Sequence, residues 1–275
     1  MKKIWIIAAL LCTGVYFCGH SSVNDGKELQ GTLERVDDLN AARYCVGVPL
    51  GGAIMKVGEE RFSDARVCYF NNPVVGYEDV LQRKVDGFLY SRHILDYVDV
   101  KHPDLVILPG EVGRADIAVA FSPKQGDLRY EVNKYISRYK EDGTYQSMYE
   151  RWFKSGKPQV IPQIDGPPNP GRTIRVGICS RSAPMCYRTG QEGELSGFEI
   201  ELLRRMAGNM NVCMELQELE RYELYSALAE GRVDMVLAGL VMDEKRPDEV
   251  IYSKSYIDSG IVAIVRAESV KSPEK

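Results

Sequence analysis

The sequence has only three histidines, His20, His93 and His102, and they are scattered. Its seven cysteines contain no Cys-x-x-Cys pair. A zinc centre or a dithiol redox motif therefore has no local support, and no metal or cofactor is expected. Basic residues form no stripe interleaved with aromatics, and Lys and Arg (35) are outnumbered by Asp and Glu (39) for a net charge of -4. That balance disfavours a phosphate backbone as partner, so nucleic acid is not expected. Long hydrophobic runs are also missing. The apolar stretch Ile4 to Phe17 is shorter than the roughly 18 residues needed to span a bilayer.

At 275 residues and 44% hydrophobic content the chain can bury one large core or two small ones. Met1-Lys2-Lys3 followed by that short apolar run has the charged start and short apolar core of an export signal over residues 1–21. Export places the protein in a periplasm or on the outer face of a membrane. Three N-terminal outcomes stay open: lipid modification at Cys18, cleavage after Ser21, and an uncleaved anchor. Five cysteines lie beyond Cys18. Cys45, Cys68 and Cys213 fall in apolar strand-like segments and read as buried thiols. Cys179 and Cys186 share one loop, which makes a disulfide between them the expected pairing.

Read in order, the chain alternates strands and helices. Strand-like Arg43–Val48, Val67–Phe70, Val85–Leu89 and Leu105–Leu108 are separated by helical Ala53–Arg61, Tyr77–Arg83 and Ser91–Val98. Ile117–Phe121 is another strand. A long amphipathic helix follows with Leu128, Val132, Tyr135, Ile136 and Tyr139 on one stripe, then a short helix over Tyr145–Phe153. Residues 156–172 hold five prolines and three glycines and read as an extended linker. A second unit repeats the alternation, with strands at Thr173–Ile178, Val212–Leu216 and Val233–Leu237 and helices at Phe198–Met206 and Leu224–Ala229. Two doubly wound α/β lobes are expected.

The stretch 228–256 is the most informative. A buried strand ends in Ala238-Gly239-Leu240, followed by Asp243-Glu244-Lys245-Arg246 and then Tyr252-Ser253-Lys254-Ser255-Tyr256. A helix start at the carboxyl end of a parallel strand aims backbone N–H groups at a crevice. With Gly193-Glu194-Leu195-Ser196-Gly197-Phe198-Glu199-Ile200-Glu201-Leu202 upstream, these motifs resemble the first lobe of the family 3 extracellular solute-binding proteins. The segment from Leu128 to Phe153 resembles the carboxyl-terminal end of the same family.

The resemblance implies a bilobed, periplasmic-binding-protein-like (Venus flytrap) fold, with two doubly wound sheets and a hinge. The family's order is reversed here. Residues 37–115 resemble its second lobe, 116–155 its returning hinge strand and final helices, and 173–265 its first lobe, so the chain reads as a circular permutant joined through 156–172. Either one chain builds the crevice as a monomer, or two half-domains pair between chains.

The resemblance also implies a ligand site. Arg246 matches the arginine that holds a ligand carboxylate, with backbone groups near Gly239 and Val241. Gly52 and Ala53 match the second lobe's loop but carry no hydroxyl. Ser91 stands where the family has the carboxylate that receives an ammonium. Arg221 falls near the family's stacking aromatic, and Arg181 is on a neighbouring loop. Arginines without an ammonium partner imply a small anionic solute, delivered to an ABC permease. A ligand-free accessory or sensor module with a degenerated cleft is the alternative. A third class is a dehydratase of the cyclohexadienyl type with Glu111 or Asp243 as the acid. No histidine or nucleophile pattern supports that chemistry, and the chain is not expected to be an enzyme.

Overall fold

The computed structural model describes residues 32–50, 52–70, 73–190, 193–242 and 249–271. The export signal at 1–21, and Asp243 and Arg246, lie outside the described residues. In chain order the elements are β1 (Cys45–Pro49), α1 (Gly52–Arg61), β2 (Arg66–Phe70), α2 (Pro73–Leu81), β3 (Gly87–Ser91), α3 (Arg92–Asp99), β4 (Leu105–Ile107) and β5 (Gly113–Arg114). There follow β6 (Ile117–Phe121), α4 (Gly126–Glu141), α5 (Thr144–Tyr149) and a wide π-type turn over Glu150–Lys154. Beyond the linker come β7 (Thr173–Ile178), β8 (Arg181–Ser182), β9 (Cys186–Arg188), β10 (Leu195–Ser196), α6 (Phe198–Met210), β11 (Cys213–Glu218), α7 (Leu224–Ala229), β12 (Met235–Val236), β13 (Ile251–Ile257) and β14 (Gly260–Arg266).

Two large sheets organise these elements into a bilobed α/β fold. Lobe A has the strand order β2-β1-β3-β14-β4, with β5 also on β14, and lobe B has β11-β7-β12-β6-β13. In both, the first three strands are parallel and the fourth runs antiparallel to its neighbours. Each lobe takes that fourth strand from the far half of the chain. β6 and β14 are buried at every residue, as expected of strands covered on both faces.

The stretch 260–265, grouped by sequence with 173–265, therefore belongs to the sheet of lobe A. Its unbroken apolar run needs a paired partner on each edge, and β3 and β4 supply them. A small sheet of β8, β9 and β10 also forms where a loop was expected.

The lobes are joined where two crossings run side by side. Ala115 N–H donates to the Ser259 carbonyl at 2.8 Å, and Ser259 N–H donates to Asp116 Oδ1 at 2.9 Å. Met242 N–H adds a third thread, donating to the Asp116 carbonyl at 3.0 Å. Behind this hinge the turn 150–154 bridges the lobes. Phe153 packs edge-on against His93 of α3 and at 5.3 Å against Phe198 of α6. Asp96 of α3 receives the Tyr149 hydroxyl at 2.8 Å and Lys154 Nζ at 3.0 Å.

Cys179 and Cys186 are both free thiols, which corrects the expected disulfide. Their side chains pack into different cores, one against α7 and the other under α6. Cys213 is exposed rather than buried, because it opens β11, an edge strand.

Candidate functional site

In open α/β sheets the usual ligand position lies outside the carboxyl ends of the strands, which makes four strand ends, or the turns just after them, the candidate positions here. From lobe A, Leu50 and the start of α1 follow β1, and Tyr90 and Ser91 close β3. From lobe B, Arg221 follows β11 and Ala238-Gly239 follows β12. Arg221 acts across the gap. Burial raises the Tyr90 phenol above its ordinary value, and the Arg221 guanidinium pulls it back down.

The turn after β12 is held from two sides. Arg221 Nη2 donates to the Ala238 carbonyl at 3.3 Å. Gly239 N–H donates to Glu199 Oε1 at 2.6 Å, and the Tyr256 hydroxyl donates to the same oxygen. Glu199 is 0% exposed, and its Oε2 has no hydrogen-bond partner among the described residues. Burial raises the Glu199 carboxyl above its ordinary value, while Tyr256, Gly239 and Arg221 pull it down. Gly239 sits at φ +60°, in the left-handed region, which a side chain would occupy only at a cost.

Glycine also explains how Glu199 reaches that turn. Gly197 has φ +123°, and a Cβ there would be driven into the Met185 carbonyl. Only because that atom is absent can Phe198 N–H and Glu199 N–H donate to the carbonyls of Pro184 and Met185, at 3.0 and 2.9 Å. The start of α6 is thereby pinned with Glu199 pointing into lobe B.

The sequence-derived candidates take different positions. Gly239 and Arg221 lie together: a Cβ built on Gly239 would stand 4.0 Å from Arg221 Nη2. The Gly239 N–H, expected to face a ligand, is occupied by Glu199. Val241 bridges to Ile117 and packs against the cores of both lobes, so its side chain serves the hinge. Arg181 does not converge with Arg221. It is ion-paired to Glu220 at 2.8 Å with its side chain 76% exposed, because the short β8–β9 hairpin carries it outward. Gly52 begins α1 and Ala53 is exposed on its first turn. Ser91 is buried and caps α3 by backbone geometry without a side-chain hydrogen bond. Glu111, the other acid considered, pairs with Arg92 at 3.3 Å.

Glu199, Tyr256 and the exposed Tyr222 beside Arg221 were missed by residue-type reasoning. Glu199 was within the quoted motif, but nothing in the sequence tied it to a turn forty positions on. Among the described residues no group of histidine, cysteine, aspartate or glutamate is placed to hold a metal. No described helix is long and apolar enough to cross a membrane.

The chain is similar to several known proteins over part of its length. Over 125 residues the chain is 28% identical to the L-cystine-binding protein TcyJ of Escherichia coli strain K12, covering 45% of this chain and 46% of that protein. It is 26% identical over 107 residues to a probable histidine-binding protein of Neisseria gonorrhoeae, covering 38% and 40% respectively. The chain thus spans less than half the length of these curated relatives. An ancestral arginine-binding protein bound to arginine matches at 30% identity over 28% of this chain and 34% of that one, with a TM-score of 0.27. Residues 174–272, which build most of lobe B and the last strand of lobe A, match the bacterial extracellular solute-binding proteins, family 3.

Proposed function

We propose that the protein is an extracytoplasmic binding protein that closes its two lobes on a small anionic solute and presents it to an ABC permease. The observation that carries this reading is Arg221. It stands at the carboxyl end of β11 in the crevice, and no described carboxylate forms an ion pair with it. A permanently charged fork there favours a carboxylate.

The missing carboxylate partner at Ser91 argues against an ordinary α-amino acid, since an ammonium closed into a cleft without an anion is costly. Arg246 belongs to the same proposal by its match to the family pattern. The strand order, with β6 and β14 each placed in the other half's sheet, supports a circularly permuted chain folding as a monomer, with 156–172 as the junction.

Native mass spectrometry of protein purified from its host, followed by calorimetry with the co-purified solute, tests the reading. A bound dicarboxylate or other anion is expected. Arg221→Ala or Arg246→Ala should leave the fold intact and weaken binding by about 2–5 kcal/mol, the range for truncating one member of a buried charge pair. Lysine at 246 should rescue poorly, because a point charge does not reproduce a bidentate fork. Unchanged affinity in both alanine variants would overturn the site.

A second reading, a ligand-free module with a degenerated cleft, is favoured by one specific observation. The Gly239 N–H is already spent on the protein's own Glu199. Native spectra with no bound molecule, and no stabilisation by any anion tested, would select it.

A further inference from the structure

We propose that Glu199 is a positioning residue that ties capture of an anionic solute to uptake of a proton. Its carboxylate holds the Gly239 amide from inside lobe B, and an anion settles against Arg221 as Glu199 becomes neutral. The proposal rests on the solute-binding reading above and names what regulates that site.

The geometry begins with the N-terminus of α6, which the Gly197 contact fixes under the β12 turn. Glu199 Oε1 takes two hydrogen bonds, from Gly239 N–H and from the Tyr256 hydroxyl. Oε2 takes none among the described residues, although the residue is wholly enclosed. A carboxylate so placed has one oxygen satisfied and one bare, which is costly when charged and far less so when neutral. Among the described residues three titratable or charged groups face it. Tyr256 comes from β13 and Arg221 from the turn after β11. Cys186 comes from β9, and the Glu199 charge and burial together push its thiol up.

Burial already raises the Glu199 carboxyl, and Arg221 is the cation that offsets this from the crevice side. An anion docked on Arg221 brings one negative charge that offsets the field of that cation. This raises the Glu199 carboxyl further, so binding of the anion and of the proton favour one another. The sign is fixed. Affinity for an anionic solute rises as pH falls through the folded-state titration of Glu199, and affinity for a cationic solute falls. Across the titration the expected gain is roughly tenfold, the order of magnitude for one unit charge acting in a partly buried setting.

Two measurements on the full-length protein test this. The first follows the Gly239 amide by NMR across pH without any solute. In wild type it should titrate with a midpoint above the ordinary glutamate range. In Glu199→Gln, which keeps an acceptor for Gly239 and Tyr256, it should be flat. In Tyr256→Phe, which removes one donor to the carboxylate, the midpoint should move up. A Gly239 resonance that does not titrate in wild type, or titrates equally in Glu199→Gln, overturns the proposal.

The second is calorimetry with succinate as the anionic probe and putrescine as the cationic one, neither of which carries an α-ammonium. Succinate binding should tighten roughly tenfold on acidification in wild type and lose that dependence in Glu199→Gln. The same pH dependence in both proteins overturns the linkage. If neither probe binds at any pH, the anionic-solute reading fails for these ligands, and the amide titration alone then decides whether Glu199 controls the turn.

Discussion

Glu201 and Glu199 sit two positions apart on α6 and are both fully buried, yet they face different surroundings. Glu201 receives Arg151 Nη1 on both oxygens at 2.7 Å, Trp152 Nε1 at 2.7 Å and Arg205 Nη2 at 2.7 Å. Its charge is satisfied, whereas Glu199 lacks a partner for one oxygen. Glu201→Ala should therefore cost about 3 kcal/mol in urea unfolding, since it strands two arginines and an indole N–H in lobe B. The arginines keep a quarter of their side-chain surface in water, which holds the loss at the low end of the range for buried pairs.

His93 makes a pH prediction. Burial lowers it from 6.5 to about 3, so it stays neutral against Ser259 Oγ at 3.0 Å. Its folded value lies below its unfolded value. The unfolded chain therefore binds the extra proton between those two limits, and stability is lost as pH falls from about 6.5 toward about 3. His93→Gln should reduce that acid sensitivity by up to about 1.4 kcal/mol per pH unit, read from urea midpoints measured at several pH values for both proteins.

At the scale of elements, α6 and the turn 150–154 decide how the crevice is built. Gly197→Ala places a Cβ against the Met185 carbonyl at a positive φ. It should lower stability by about 1–3 kcal/mol and release the Glu199 contact with Gly239, checked by thermal unfolding and by the Gly239 amide shift. The 150–154 turn packs Trp152 and Phe153 into the core of lobe B, sets Phe153 also against His93 of α3 in lobe A, and sends Lys154 to Asp96 of α3. Asp96→Asn keeps the shape but loses the charge that receives Tyr149 and Lys154. Faster hydrogen exchange in α3 than in α6 is the expected result, with a cost of about 1–2 kcal/mol because Lys154 remains half in water. Equal exchange in the two helices would mean that this contact does not couple the lobes.

For the whole molecule, the exchanged strands matter most. β14 completes lobe A from the carboxyl-terminal half, and β6 completes lobe B from the amino-terminal half. Neither half holds a complete sheet, so cutting the linker 156–172 should leave one complex in size-exclusion chromatography. Each half expressed alone should aggregate, because it exposes the buried edge that the missing strand covers. Two separately soluble, folded halves would show that the exchange is not what holds the molecule together. The linker itself tolerates cutting because few contacts fix it, among them Asn211 with Asn169 and Arg172 with Glu131.

Much of this was legible in the residues. The apolar runs at Val46–Val48 and Ile117–Phe121 read as strands, and the proline-rich stretch read as a connection. The order of the Gly-Phe-Glu and Tyr-Ser-Lys-Ser-Tyr motifs carried the likeness to the family 3 solute-binding proteins that residues 174–272 match. These are local signals, set by side-chain periodicity and backbone restriction within a few residues. Which sheet Gly260–Val265 would join was not local: an all-apolar strand reads the same beside any partner, and only the competition between sheet edges chose β3 and β4. The site was decided in the same way. Glu199, Gly239 and Tyr256 come from three elements, and no spacing rule links them. Their union depends on a glycine that lets α6 start against a carbonyl, and on burial that leaves one carboxylate oxygen bare. Packing alone placed that acid beneath the β12 turn.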